Sequence, residues 1–305
     1  MSDEIFDIDG HVVKRSVELS VIEVVIGSIL HGLKIPMSGH FLSLNQGAFL
    51  SKSYNNSFSR SIAAKTTFEI SFITAVMKSL SPAGKKLGPM MSISSQGLLY
   101  SLGVFVGGVG TTGKVIGMVL LSLWAFIQPF ISYFLMYGTE ILSALAYFEK
   151  KIGKVFDLEK FSLLYVVVFL VGFKLIVAVC VPFLLRFKKI DNLYKKLNIS
   201  PKVKLRNKKH KTTIRGVIAD LSSPIFLMSI ILMALFFYLT GEDNAIIFWK
   251  LLRAISVFVL ISYLARSPKV LSVLDKLSVR SPWVKRMMDL SKKASKELNK
   301  SLIKD

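Results

Sequence analysis

The chain has 305 residues, of which 52% are hydrophobic, and its mean hydropathy is +0.54. Its formal charge is nevertheless +21, from 40 Lys and Arg against 19 Asp and Glu. A water-soluble domain could not bury runs such as Phe161 to Arg186, in which Lys174 is the only charge before the last residue, so the composition predicts an all-α, polytopic membrane helix bundle.

The N-terminal nine residues are acidic, and no short apolar stretch with a small-residue cleavage site follows them, so we expect no cleavable signal. Cys180 is the only cysteine, which excludes an intrachain disulfide and a cysteine zinc site. His31 and His40 lack a third ligand at metal-binding spacing, so no metal is expected. No nucleophile with its base is recognisable, and we expect neither an enzyme nor a cofactor.

The apolar runs predict about six to eight transmembrane helices. A semi-polar segment, Ser38 to Leu50, is short for a crossing and raises the count to eight if it spans. The clear runs are Leu19 to Ile35, Ile62 to Leu80, Pro89 to Val106, Val115 to Gly138, Phe161 to Arg186, Ile214 to Thr240 and Ala245 to Ala265.

The first two clear runs begin a candidate parallel internal repeat. Glu23 lies thirteen residues before a proline, Glu69 does the same, and each proline is followed by a glycine and then a Gln-Gly pair, in GHFLSLNQG and GPMMSISSQG. Coincidence among small residues is the alternative explanation. Repeats of this kind are common where transporters form a site at the repeat interface.

Three glutamines fall inside apolar runs, at Gln46, Gln96 and Gln128. Polar side chains in hydrocarbon need a partner or a cavity, and an amide that both donates and accepts suits a polar small molecule. We therefore predict a substrate site from the glutamines together with Asn45 and Trp124. Hydrogen bonding between helices is the alternative.

Residues 107–114 read GGVGTTGK, which resembles the phosphate-binding pattern G-x-x-x-x-G-K-[ST]. The next residue is Val115, which has no hydroxyl to hold Mg²⁺, and the stretch lies between two apolar runs rather than after a strand. We predict a tight turn without nucleotide chemistry, made possible by its glycines.

Three intramembrane charges, Glu23, Glu69 and Lys174, are functional candidates because such charges are costly. Lys174 lies in the middle of its span, where a lysine pairs with a carboxylate, snorkels or binds an anion. The alternatives for Lys174 are an anion contact in the substrate site and a structural ion pair with one of the two glutamates.

Two basic segments hold most of the net charge and set the topology. Arg186 to Arg215 has twelve Lys and Arg against one acidic residue, and Arg266 to Asp305 has eleven against four. Cytoplasmic loops of membrane proteins are basic in this way, and no nucleic-acid motif accompanies the charge. We therefore predict a multi-pass cell-membrane protein with both termini cytoplasmic, and no nucleic-acid partner.

This topology divides the chain into four regions. Residues 1–186 form a six-span domain that includes an outer interfacial helix within 139–160, and 187–213 form a basic cytoplasmic loop. Residues 214–265 form a transmembrane hairpin whose acidic turn faces outward, and 266–305 form a basic, amphipathic cytoplasmic tail.

The segments KKLGPMMSISSQGLLYSLGVFVGG and LLSLWAFIQPFISYFL resemble the second-span region of biotin-type substrate-binding (S) components of energy-coupling-factor transporters. The resemblance implies a six-helix protein that captures a vitamin or related micronutrient from outside. It also implies docking on a transmembrane coupling protein driven by two ATPases, through small residues such as Ser28 and Gly32. The family's usual Ala-x-x-x-Ala is absent, and the last two spans and the tail are additional.

Two other functions are compatible with the sequence. A structural membrane protein could recruit a partner or anionic lipid through the tail, whose apolar residues recur at helical spacing. A proton-coupled transporter could use the three intramembrane charges. The apolar residues of the tail are Trp283, Met287, Leu290, Ala294 and Leu298.

Overall fold

The computed structural model describes residues 7–32, 37–78, 87–155, 163–187, 213–222, 224–239, 241–266, 279 and 281–303. Every regular element in these residues is an α-helix, as predicted. In chain order the helices are α1 (Ile8–Gly32), α2 (Ser38–Ser51), α3 (Arg60–Lys78), α4 (Leu87–Gly107), α5 (Thr111–Tyr137), α6 (Glu140–Val155), α7 (Leu163–Leu184), α8 (Thr213–Leu221), α9 (Pro224–Leu239), α10 (Asn244–Arg266) and α11 (Pro282–Ile303).

Three helices are long and apolar enough to cross a membrane, in the stretches Gly88–Gly107, Thr111–Leu135 and Leu164–Leu184 of α4, α5 and α7. Their 20, 25 and 21 residues rise by about 1.5 Å each, which matches a hydrocarbon core of about 30 Å. Large apolar side chains of α7 face outward, with Leu164 64% and Phe169 70% exposed. The chain is therefore a membrane protein with transmembrane helices.

The other predicted spans form helices that are shorter or more polar. The 14 residues of α2 rise by only about 21 Å, which is less than a bilayer core. The first half of α1 holds Lys14, Arg15 and Glu18, and α3 begins at Arg60 and contains Lys65. These helices are built for a polar or protein environment along part of their length, so the count of six to eight spans stays a prediction.

The predicted run from Ile214 to Thr240 is two helices rather than one. α8 ends at Leu221 and α9 begins at Pro224. Proline is well suited to the first position of a helix, which is the position that Pro224 occupies in α9.

The described residues form two compact units. Residues 7–126, 172–187 and 279–303 belong to the first unit, and residues 127–171 and 213–266 belong to the second. This grouping differs from the four regions read from the sequence, because α11 belongs to the same unit as the N-terminal helices. Most of the predicted basic loop, 187–213, lies outside the described residues.

In the first unit α11 packs against α1 and α3. Its apolar stripe, predicted as a lipid-binding or partner-binding face, is buried in the core of the unit, where it meets residues such as Val12 and Ile70. Trp283 stacks on Phe68, with ring centroids 6.1 Å apart and planes at 13°. The buried residues of the stripe are Met287, Leu290, Ala294 and Leu298.

The predicted turn within GGVGTTGK is residues 108–110, between the end of α4 and the start of α5, and Thr111 to Lys114 form the first turn of α5. Gly108 has φ of +83°, a backbone conformation that side chains other than glycine rarely adopt. A Cβ atom on Gly107 would lie 2.7 Å from the Cα of Gly113, and one on Gly117 would lie 2.9 Å from the carbonyl oxygen of Tyr100. The glycines therefore permit both the reversal and the close approach of the two helices, as small residues do in membrane helix pairs.

In the second unit α9 and α10 form the predicted hairpin, joined by a short turn at Gly241. Lys250 of α10 binds Glu242 in this turn and Glu140 at the start of α6, each at 3.1 Å. Residues 139–160 contain the predicted helix, which spans Glu140–Val155.

Candidate functional site

The ammonium group of Lys174 on α7 lies between α2 and α5, and the residue is only 4% exposed. Its Nζ atom lies 2.8 Å from the hydroxyl of Ser43 and 3.1 Å from Nδ1 of His40, both on α2. It also donates to the backbone carbonyl of Ser122 on α5 at 3.3 Å. Three helices, α2, α5 and α7, are therefore joined through one lysine.

The partners of Lys174 are neutral groups. Among the residues that the structure describes, no Asp or Glu forms an ion pair with it. Hydrogen bonds to neutral acceptors satisfy the three N–H groups but do not compensate the charge, and a buried ion without a counter-ion is costly. The arrangement thus leaves a buried amino group whose charged form an anionic ligand would stabilise.

Aromatic rings form one side of this site. The Lys174 Nζ atom lies 5.2 Å from the ring centroid of Phe126, and the His40 ring lies 4.3 Å from the same ring. The face of an aromatic ring attracts a cation, although more weakly than a carboxylate does. Phe126 therefore partly stabilises the ammonium and offers a flat apolar surface beside it.

The alternative ion-pair partners predicted for Lys174 have other partners. Glu69 of α3 is fully buried, and its Oε1 atom accepts a hydrogen bond from Arg286 of α11 at 2.8 Å. Glu23 of α1 is attracted by Lys78, which also donates to the Glu23 backbone carbonyl. The alternative of a structural ion pair between Lys174 and one of the two glutamates is therefore not found among the described residues, because Arg286 and Lys78 are their cationic partners.

The predicted site glutamines lie in different surroundings. Gln46 is fully buried, and its Nε2 atom donates to the Ile93 carbonyl of α4 at 2.9 Å and to Ser71 of α3 at 3.3 Å. Gln96 is 3% exposed and donates to Ser92, one turn earlier on its own helix, at 2.9 Å. Gln46 thus bridges helices, whereas the amide of Gln96 is held within α4.

The remaining predicted site residues are placed on α2 and α5. Asn45 precedes Gln46 on α2, and Trp124 lies on α5 two residues after Ser122, within the first unit. Gln128 is one turn further along α5 and belongs to the second unit, so the three glutamines do not share one unit. The helix continues through Pro129.

Several buried polar atoms have no hydrogen-bond partner among the described residues. Such atoms are uncommon in folded proteins and each needs an explanation, such as a ligand or a water molecule. The unpartnered atoms are the Ser122 hydroxyl, Nε1 of Trp124, Oε1 of Gln46 and Oε2 of Glu69. Of these residues, Ser122 is the one that contacts Lys174, through its backbone carbonyl.

The predicted docking residues Ser28 and Gly32 lie four residues apart near the end of α1. Their side-chain surroundings lie outside what the structure describes. Docking through these positions stays a prediction.

Four neighbours of Lys174 were not among the predicted site residues: His40, Ser43, Ser122 and Phe126. His40 and Ser43 are three residues apart on α2, and Ser122 and Phe126 are four apart on α5, so each pair shares a helix face. That spacing was visible in the sequence, but nothing in it relates α2 to a lysine more than 130 residues away.

The candidate internal repeat stays a prediction, and its residues lie on four successive helices. Glu23 and Glu69 lie on α1 and α3, and Gln46 and Gln96 lie on the helices that follow, α2 and α4. α1 packs beside α3, and α2 contacts α4. The copies differ in length, since α2 has 14 residues and α4 has 21.

No protein-family model matches the chain, and no curated protein or solved structure matches it.

Proposed function

We propose that this protein is a membrane transport protein that binds a small metabolite through a carboxylate or similar anionic group. The observation that carries the proposal is the Lys174 ammonium, which is 4% exposed and has only neutral partners among the described residues. Intramembrane charges are retained for function because they are costly, and a lysine without a counter-ion suits a ligand that supplies one.

The surroundings of Lys174 define the rest of the ligand. Phe126 and His40 provide a flat aromatic surface, and the Ser122 hydroxyl provides an unused donor and acceptor. A ligand contact by Trp124, whose indole N–H is unused, rests on the sequence alone, because Trp124 is two residues from both Ser122 and Phe126 and projects from another face of α5. A planar, polar metabolite of vitamin size with one anionic group fits this combination of charge, rings and hydrogen-bonding atoms.

The proposed transport role concerns how the substrate reaches this binding site and where it goes next. In the proposal the chain crosses the membrane six to eight times with both termini cytoplasmic, and the site receives its substrate from outside. The substrate then passes to an ATP-driven coupling module, a transmembrane coupling protein with ATPases that docks near Ser28 and Gly32. The S-component resemblance supports this part, and the basic segments support the orientation.

The test of the site uses the full-length protein purified in detergent. Small molecules that co-purify with the wild type are extracted and identified by mass spectrometry, beside those of Lys174→Met and of Lys151→Met, an exposed-helix control on α6. We expect an anionic metabolite in the wild type and the control, and its loss from Lys174→Met. The same metabolite at equal occupancy in Lys174→Met would contradict the proposed site.

The orientation is tested separately by labelling single cysteines from outside intact cells, after Cys180→Ala removes the native thiol. We expect a cysteine at Asp243 to react and one at Lys208 to stay unlabelled, because the basic segments are retained inside. The reverse pattern would place the site on the opposite side of the membrane and exclude capture from outside.

A further inference from the structure

A second site lies near the α4–α5 turn, where the structure contains a cavity of about 360 Å³. Three segments of the first unit surround it: the residues that follow α2, the start of α5 and the end of α7. The polar residues that line it include Lys52, Asn56, Thr111, Lys114 and Arg186. It is separate from the surroundings of Lys174, with which it shares no lining residue.

The charge of this cavity is one-sided. Lys52, Lys114 and Arg186 line it, and none of the described residues that line it is acidic. Lys114 and Arg186 are close enough to repel each other. Like charges that converge on one concave surface destabilise the empty protein, and an anion bound among them would remove this repulsion.

Two of the cations lie against aromatic rings. Lys114 Nζ lies 5.0 Å from the ring centroid of Tyr54, and the Arg186 guanidinium lies 5.7 Å from that of Phe183. Burial raises the pKa of Tyr54 to about 12, although the hydrogen bond with Tyr100 opposes the rise, so Tyr54 stays neutral. The rings therefore position the two cations without neutralising them.

The start of α5 adds hydrogen-bond donors. α5 begins at Thr111, and its first turn contains no acidic residue to neutralise the positive end of this 27-residue helix. Backbone N–H groups of a first turn have no intrahelical acceptor. Arg186 donates to the Thr111 hydroxyl, which holds the guanidinium beside this turn.

The geometry points to a binding site for a phosphate group in this cavity. Three cations, a helix start and side-chain hydroxyl and amide groups match the charge and the many acceptor oxygens of a phosphate better than those of a carboxylate. Val115 lacks the hydroxyl that would hold Mg²⁺, so the site binds phosphate without a metal-dependent nucleotide reaction. Because the cavity lies at the ends of two membrane-crossing stretches, at Thr111 and Leu184, the phosphate of an anionic lipid headgroup and a free phosphate both have access.

The experiment measures binding to the full-length protein in detergent with three probes: inorganic phosphate, short-chain phosphatidylglycerol and short-chain phosphatidylcholine. Thermal unfolding is recorded against probe concentration, since a ligand of the folded state raises the unfolding temperature. Arg186→Gln and Lys114→Gln test the cavity. Lys151→Gln is a matched control, because Lys151 also lies over a tyrosine ring, 5.8 Å from the centroid of Tyr147, but on α6.

We expect phosphatidylglycerol to stabilise the wild type and the control, and each cavity variant to weaken its apparent affinity by about tenfold, the effect of one charge-assisted hydrogen bond. Stabilisation by inorganic phosphate as well identifies a free phosphate as a second natural source. Arg186→Lys, which keeps the charge, should recover part of the binding and shows that the loss is not a folding defect. Equal stabilisation by phosphatidylcholine, no stabilisation by either anionic probe, or undiminished binding in both Gln variants would overturn the site.

Discussion

Two buried ionisable residues in the first unit, Glu69 and Lys174, differ in whether a residue of opposite charge binds them. Glu69 is fully buried and binds Arg286, which also binds Asp9 at 2.6 Å, so three helices are joined by one charged cluster. Lys174 is 4% exposed and has only neutral partners among the described residues. A buried charge with a dedicated counter-ion holds the fold, whereas one without is available to a ligand.

The largest expected effect follows from breaking the Glu69 cluster. Arg286→Ala leaves a fully buried carboxylate without its cation and should lower the free energy of unfolding by about 3 kcal/mol or more. Thermal unfolding in detergent measures this change. Lys285→Ala, one residue away at an exposed position, is the control and should unfold as the wild type does.

A double variant separates charge from packing in the same cluster. Glu69→Gln with Arg286→Gln removes both charges and should be more stable than Arg286→Ala, because no buried ion is left uncompensated. If Arg286→Ala unfolds together with the wild type, the charge pair does not hold α11, and the contrast with Lys174 is lost.

Lys174→Met tests the other half of the comparison. Replacing an uncompensated buried charge with an apolar side chain of similar length should leave stability unchanged or raise it by about 1 kcal/mol, while ligand binding is lost. The matched control is Lys78→Met. Lys78 is equally buried, at 4%, but it is attracted by Glu23 and binds the Glu23 carbonyl, so its loss should destabilise the protein.

Thermal unfolding of Lys174→Met and Lys78→Met, with and without the co-purified metabolite, measures both the stability and the ligand binding of each variant. Early unfolding of Lys174→Met with a preserved ligand shift would make Lys174 a structural residue, and the proposed site would be abandoned.

Gln46 and Gln96 allow a finer comparison of structural and ligand-binding amides. Gln46→Ala removes a donor that reaches the Ile93 carbonyl on another helix and should cost about 1 kcal/mol or more of stability. Gln96→Ala breaks a bond to Ser92 within α4, so it should spare folding. The sequence-based prediction that Gln96 contacts the ligand requires ligand affinity to fall by about 1 kcal/mol in this variant. A Gln96→Ala variant that unfolds early yet keeps its ligand shift would place Gln96 among the structural amides.

The smallest effect is expected at the α4–α5 turn. Lys114→Ala should leave metabolite binding within about twofold of the wild type, because effects at distant sites are usually independent. We expect neither the wild type nor Lys114→Ala to bind ATP in a Mg²⁺-dependent way, as measured by equilibrium dialysis. Binding of MgATP by the wild type that disappears in Lys114→Ala would contradict the reading of this turn.

Much of the helical framework could be read from the sequence. The long apolar runs predicted α4, α5 and α7 because a crossing segment must be apolar over about 20 residues. The glycine pattern predicted the turn at Gly108, and the acidic turn at residues 241–244 (GEDN) predicted the hairpin of α9 and α10. These signals are local, because each depends only on a short stretch of sequence and on the need for apolar residues within a membrane.

Other features depended on which helices meet. The spacing from Trp283 to Leu298 predicted an amphipathic helix, but only the tertiary structure showed that its apolar face packs on α1 and α3. A stripe of apolar residues is equally suited to lipid, to a partner and to the chain's own core, so the sequence cannot choose among them.

The sequence by itself determined that the chain is a helical membrane protein and that Lys174 lies in an apolar helix, since both follow from composition over short windows. Only the tertiary structure decided which charges meet. In the tertiary structure Glu69 binds Arg286, more than 200 residues away, and Lys174 contacts His40 and Ser43. The physical reason is that a buried charge without a partner is energetically costly, which the sequence shows, whereas the partner that lies within hydrogen-bond distance depends on how the helices pack.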